Sequence, residues 1–279
     1  MLRRRHGLAV LLVCLAGAAL AGTQTQAGRE PLDALIQRSG LDAQLTHFEA
    51  AMQRGITTAH ATQRTLASED VERLRKAVAS AYSAQSLRPV LRAELAKTLS
   101  RAEIAAALAW LDSPTGRKLT ALEEKAATPE AQLRLEAAAS GTGPAVAPAR
   151  ARILHDLIRA TRADEVGASL LIETAAGVTE GAALFSPGDP SAAVEAARRE
   201  LEARRGEVVA AMHAQSFIAF ALVYAEASDA ELAALLAFAR SPAGAHYHDA
   251  TSRAFERTLA QAAKRLGGAL AAPAAPAGI

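Results

Sequence analysis

The chain contains a single cysteine, Cys14, which rules out a disulfide scaffold and a Cys-rich metal site. Aromatic residues are only 4% of the 279 and include one tryptophan, Trp110. Beyond the N-terminus no uninterrupted apolar run approaches the ~18 to 20 residues that span a bilayer. There is no His-Glu-x-x-His string for zinc hydrolysis, no phosphate-binding loop and no Gly-x-Ser-x-Gly nucleophile turn. The two-residue alternation of half-buried strands is missing over any useful length. At 51% hydrophobic residues the chain is too apolar to remain disordered.

What is present begins with an export leader. Residues 1–21 read as a signal peptide. Arg3, Arg4 and Arg5 form its positive start, Leu8 to Leu20 its apolar segment, and Ala19-Leu20-Ala21 its cleavage site. Cleavage is expected before Gly22, with a second cut after Ala27 as the alternative. A retained anchor and a lipoprotein modified at Cys14 compete with this reading. The short apolar run argues against the first, and the bulky Val13 against the second. Losing three arginines from 31 basic residues leaves 28 against 29 acidic, a net charge of −1. A near-neutral mature chain has no bulk electrostatic reason to bind nucleic acid. It also carries no cysteine, so an oxidising compartment poses no redox problem. The expected location is the periplasm, with no membrane span after cleavage.

Alanine dominates the composition, with Leu, Arg and Glu behind it, all strong helix formers. Leu87, Leu91, Leu95 and Leu99 recur every four residues, and Ile104, Leu108 and Leu111 follow the same helical spacing. Leu232, Leu235, Leu236 and Phe238 make a third stripe. Ser100 with Glu103, and Ser228 with Glu231, are capping boxes at helix starts. Thr128-Pro129-Glu130 is a further start signal. The Gly/Pro-rich stretch 140–149 reads as a linker, Ser186 to Ser191 as a loop joining two helices, and 267–279 as a frayed tail.

An internal repeat organises these signals. Residues 100–116 align without a gap on 228–244, with ten of seventeen positions identical and Trp110 opposite Phe238. The matched residues include Ser100/Ser228, Glu103/Glu231, Ser113/Ser241, Pro114/Pro242 and Gly116/Gly244. Upstream, Leu35-Ile36 matches Leu157-Ile158, and Gly55 matches Gly177, at an offset of 122. The expected fold is all-α: two tandem helical-bundle modules, 31–139 and 150–266, packed as a pseudo-twofold pair. At each Ser-Pro-x-Gly corner one helix ends near Asp112 or Arg240 and the next begins at Pro114 or Pro242. Gly116 and Gly244 then allow close approach by another helix. The competing reading is a ligand cradle of backbone N–H groups at the new N-terminus.

The string from Glu231 to Gly244, Glu-Leu-x-x-Leu-x-x-Phe-x-x-Ser-Pro-x-Gly, resembles the signature of the bacterial "domain of unknown function 2059" family. Leu35-Ile36-Gln37-Arg38-Ser39-Gly40 and Leu157-Ile158-Arg159-Ala160-Thr161 resemble that family's upstream segment. The first copy departs from it with Trp110 and Asp112, the second with Ala245 and His246. The resemblance implies an exported, all-helical protein in two copies. It carries over no catalytic residue.

His246-Tyr247-His248-Asp249 is the densest group of potential metal ligands, with His213 and Glu226 as residues that folding would have to bring in. A metal-binding protein or metal-dependent hydrolase using His246, His248 and Asp249 is therefore the alternative function. The default for this segment is a solvated helix face. Glu123 and Glu124 also read as solvated. The first expectation is a non-enzymatic envelope protein without a cofactor, binding a protein partner or an apolar ligand. Peripheral membrane binding is disfavoured by the mixed surface charge.

Overall fold

The computed structural model describes residues 31–63, 68–126, 131, 134–135, 137–138, 143–172 and 190–271. Among the described residues there are helices and no strand. In chain order the helices are α1 (Pro31–Arg38), α2 (Leu41–Gln63), α3 (Ser68–Tyr82), α4 (Ala84–Thr98), α5 (Arg101–Leu111) and α6 (Pro114–Ala126). They continue as α7 (Pro148–Thr161), α8 (Pro190–Ala203), α9 (Arg205–Val223), α10 (Asp229–Arg240) and α11 (Pro242–Ala271). Residues 163–172 are also helical. The expected leader, the Thr128-Pro129-Glu130 start, Gly177 and the loop before Pro190 lie outside the described residues.

Capping and backbone chemistry explain the boundaries. The Ser100 hydroxyl accepts from the Glu103 N–H while the Glu103 carboxylate accepts from the Ser100 N–H; Ser228 and Glu231 make the same reciprocal pair. At both corners the serine hydroxyl donates to the carbonyl three residues back, 2.7 Å from Trp110 O and 2.7 Å from Phe238 O. The same oxygen accepts from the Gly116 and Gly244 N–H groups. α1 ends at Gly40 with φ 70° and α7 at Arg162 with φ 56°. These two left-handed positions are 122 residues apart. Arg162 accepts the strain of a non-glycine residue there while its guanidinium bonds Asp249 at 2.7 Å.

A Cβ at Gly116 would lie 2.0 Å from the Trp110 carbonyl oxygen, and one at Gly244 would lie 1.9 Å from that of Phe238. The close neighbour is thus the end of the preceding helix, not a separate helix as the sequence suggested. Gly116 already gives its N–H to Ser113, which leaves that group unavailable to a ligand cradle.

Among the described residues the buried hydrophobic side chains form two cores that exchange helices across the chain. The first takes residues from α1 to α5 and is completed by Tyr247, Phe255, Leu259, Leu266 and Leu270 of α11. Leu87, Leu91 and Leu95 are fully buried in it. The second takes Leu119 and Ala126 of α6 together with residues of α7, α9 and α10. The helix that follows each corner therefore packs into the core built mainly from the other half. The packing crosses the expected boundary between 31–139 and 150–266.

Two further expectations change. α11 runs through Gly267 and Gly268 to Ala271, and Leu270 is buried, so ordered structure extends past the expected start of the tail. The Arg73 guanidinium holds this end by donating to the Leu270 carbonyl at 2.6 Å. An 18-residue window of α9 has a mean hydropathy of 1.4, and the helix is long and apolar enough to cross a membrane, although polar residues interrupt any continuous apolar run. Here Met212, Ala219, Phe220, Ala221 and Val223 of that helix are buried within the fold.

Candidate functional site

The two halves meet through paired contacts. Trp110 stacks on Phe238 with ring centroids 5.1 Å apart and an interplanar angle of 7°. Glu231, capping α10, is 2.7 Å from Lys118 of α6, and Glu103, capping α5, is 2.5 Å from His246 of α11. Lys118 and His246 are themselves 128 residues apart, as are the two glutamates. Both carboxyls are held far below their ordinary value, at about 2. For Glu231 the first cause is the Lys118 hydrogen bond; for Glu103 it is the Ser100 hydroxyl, followed by the Ser100 N–H and His246. Arg38 pairs with Asp112 at the end of α5, and Arg240 at the end of α10 lies 2.7 Å from Asp156 of α7.

Between these contacts lies a cavity of about 60 Å³. At ~10–15 Å³ for each water-sized centre, it has room for about four such groups. Aromatic rings contributed from both halves line it: Trp110, Phe220, Tyr224, Phe238 and Tyr247. Ser39 and Thr161, 122 residues apart, face it, as do Thr120 and His248, which are 128 apart. His248 is buried, 6% exposed, with neither ring nitrogen hydrogen-bonded. Burial pushes its pKa down to about 4, so the ring is neutral at pH 7. Tyr247 and Phe238 meet it edge to face.

Glu123 of α6 is the second polar feature. It accepts a hydrogen bond from the Tyr224 hydroxyl, and no cation pairs with it among the described residues. Burial raises its carboxyl to about 8, the Tyr224 hydrogen bond opposes the shift, and nearby Glu124 adds to it. The expectation of a solvated Glu123 is therefore corrected. Gly116, Leu119, Glu123 and Ala126 fall at successive positions of one helical stripe, so an acid had been written onto a face that packs.

This pair of groups predicts a pH profile. Glu123 titrates near 4.5 when unfolded and near 8 when folded, so the folded state holds the extra proton and stability falls as pH rises through that window. His248 shifts from 6.5 down to about 4, so the unfolded state holds the extra proton and stability falls as pH drops below 6.5. Between 4.5 and 6.5 the two oppose one another; above 6.5 Glu123 acts alone. Urea denaturation is expected to show a loss of about 2 kcal/mol between pH 6.5 and 8.5, and Glu123→Gln to level that limb. An unchanged slope in the variant would assign the loss to other groups.

The potential metal ligands separate. His246 faces Glu103, Asp249 is taken by Arg162 and Arg253, and His248 is buried beside Phe238. Glu226 pairs with Lys125 at 2.7 Å. Among the described residues no group of three His, Cys, Asp or Glu side chains is placed to hold a metal. Helical spacing sends these neighbours to different partners. His213 instead joins a chain that only folding assembles: Asp164 to His213 at 2.8 Å and His213 to His155 at 2.9 Å, with Phe217 stacked on His155. Burial, and then proximity to His213, lower the His155 pKa.

Residues 85–144 match a family described as "Uncharacterized protein conserved in bacteria (DUF2059)". The match takes in α4 to α6, including Ser100, Trp110, Glu123 and the first corner, and does not reach residues 228–244. No curated protein and no solved structure matches the chain.

Proposed function

We propose that the chain is an exported, non-enzymatic helical protein of the bacterial envelope, built from two related modules about a pseudo-twofold axis, and that the cavity on that axis binds a small, largely apolar ligand. The observation that carries this reading is His248, buried and without a hydrogen-bond partner in a cavity walled by five aromatic rings. A buried polar group without a partner costs about 1–3 kcal/mol, and a ligand that supplies the partner recovers it. The offset-matched contacts Glu103–His246 and Glu231–Lys118, with Trp110 stacked on Phe238, support the paired arrangement. The leader composition supports export. The dispersed histidines and acids near α11 favour a binding role over metal-dependent hydrolysis.

Trp110 is the single tryptophan and lines the cavity, so its fluorescence reports occupancy. The test is to recover the protein from the periplasm, read its first residue, and titrate it with 2-propanol. A ligand of about four heavy atoms is capped near 6 kcal/mol of binding free energy, so the titration extends to tens of millimolar. The expected result is an N-terminus at Gly22 and a saturable change in Trp110 emission accompanied by a raised Tm. Retention in the cytoplasm would overturn export. A linear, non-saturating response to this and other compact probes would overturn the cavity reading.

A further inference from the structure

The chemistry of the cavity wall defines the charge of its ligand. Glu123 lines the cavity, and its hydrogen bond from Tyr224 is neutral, so no positive charge among the described residues balances the carboxylate form. The ionisable groups facing Glu123 are Tyr224 at the end of α9, Tyr247 and His248 on α11, and Glu124 on its own helix. None of these supplies a cation: Tyr247 is held protonated by burial, and His248 is held neutral. The lysines of the same helix are committed elsewhere, Lys118 to Glu231 and Lys125 to Glu226. A negative charge formed here would therefore lie among aromatic rings with no counter-ion among the described residues.

Aromatic rings around a partly buried carboxylate favour a small organic cation, because the ring faces carry partial negative charge and attract it. An ammonium with N–H groups has a second use in this cavity. Neutral His248 has one ring nitrogen that accepts, and no described group of the protein donates to it. The volume limits the ligand to a compact skeleton. We propose that the cavity binds a small primary or secondary alkylammonium ion, with Glu123 as its counter-ion, His248 accepting one N–H, and the rings of Trp110, Phe238 and Tyr247 packing on its alkyl group. This rests on the cavity being a ligand site, and it adds the sign of the ligand's charge.

Charge balance gives the proposal a distinct signature. The cation pairs with the carboxylate, so binding below the Glu123 titration releases one proton from Glu123 to solvent. Affinity for the ammonium then rises about tenfold per pH unit between pH 6 and 7, whereas affinity for an uncharged molecule of the same shape does not.

The experiment compares isopropylammonium with 2-propanol, which match in shape and differ in charge, using Trp110 fluorescence at pH 6, 7 and 8 on the full mature chain. The expected result is saturable binding of isopropylammonium at concentrations at least tenfold below those needed for 2-propanol. Its affinity should strengthen with pH, and Glu123→Gln should lose at least tenfold in affinity for the ammonium and abolish that dependence on pH. Equal affinities, or preference for 2-propanol, in the wild-type protein would overturn the ammonium assignment and leave the cavity as a neutral-ligand site. No response to either would overturn both readings. The wild-type comparison decides the matter even if Glu123→Gln does not fold.

Discussion

Alanine at position 116 or 244 is expected to destabilise the protein by about 3 kcal/mol or more, and the double variant to lose its cooperative transition. The new Cβ would sit 2.0 Å from the Trp110 carbonyl oxygen at one corner and 1.9 Å from that of Phe238 at the other. Both obstacles are backbone atoms, so no side chain can rotate away. Relief requires the corner to open. That pulls the glycine N–H from the serine hydroxyl, 2.9 Å away at Gly116 and 3.1 Å at Gly244. It also shifts the stacked rings of Trp110 and Phe238, whose carbonyls are the ones struck. Gly206 is the internal control. A Cβ there meets nothing within 4 Å, and the residue is helical. Gly206→Ala should be neutral or stabilising by up to about 1 kcal/mol. Urea midpoints for the three single variants check this. A loss under 1 kcal/mol at positions 116 and 244 would mean that the corners are not rigid.

A chain ending at Ser241 is expected to lose the first core as well as the second half's last helix. α11 supplies Tyr247, Phe255, Leu259, Leu266 and Leu270 to a cluster that otherwise belongs to α1 to α5. At about 2 kcal/mol for each large buried side chain, their removal costs on the order of 10 kcal/mol, comparable to the whole stability of a domain. Circular dichroism should show reduced helicity and no cooperative melt, with strong binding of a hydrophobic dye. If the modules were independent, the truncated chain would keep a folded 31–139 unit with a sharp transition. That outcome would refute the exchange of helices.

The local structure was legible because its causes are local. Ser100 with Glu103 and Ser228 with Glu231 name their helix starts through atoms three residues apart, and Pro114 and Pro242 mark new helices by disfavouring helical geometry just before them. The leucine stripe of α4 announced a buried face for the same reason. What it could not announce is the partner. Residues 100–116 and 228–244 have similar sequences and offer similar apolar faces, and a post-corner helix satisfies the pattern equally against either set of helices. The cavity was half legible. Trp110 and Phe238 stood out as matched positions, and their stacking gives a physical meaning to that match. Glu123 and His248 were hidden, because a titratable residue in a polar-looking string reads as solvated until its surroundings are known. Helical spacing alone placed Glu123 on the stripe of Gly116 and Leu119. The Asp164–His213–His155 chain left no sequence signal, since its three members come from separate helical segments.

The bond from Arg73 to the carbonyl of Leu270 joins residues 197 apart. Such separations raise the contact order, and a domain whose parts must wait for distant segments folds slowly. During synthesis Leu87, Leu91 and Leu95 emerge well before the residues that will cover them. For most of its time on the ribosome the nascent polypeptide lacks the piece that locks its leading half, and a chain in that condition can still be threaded through a narrow pore.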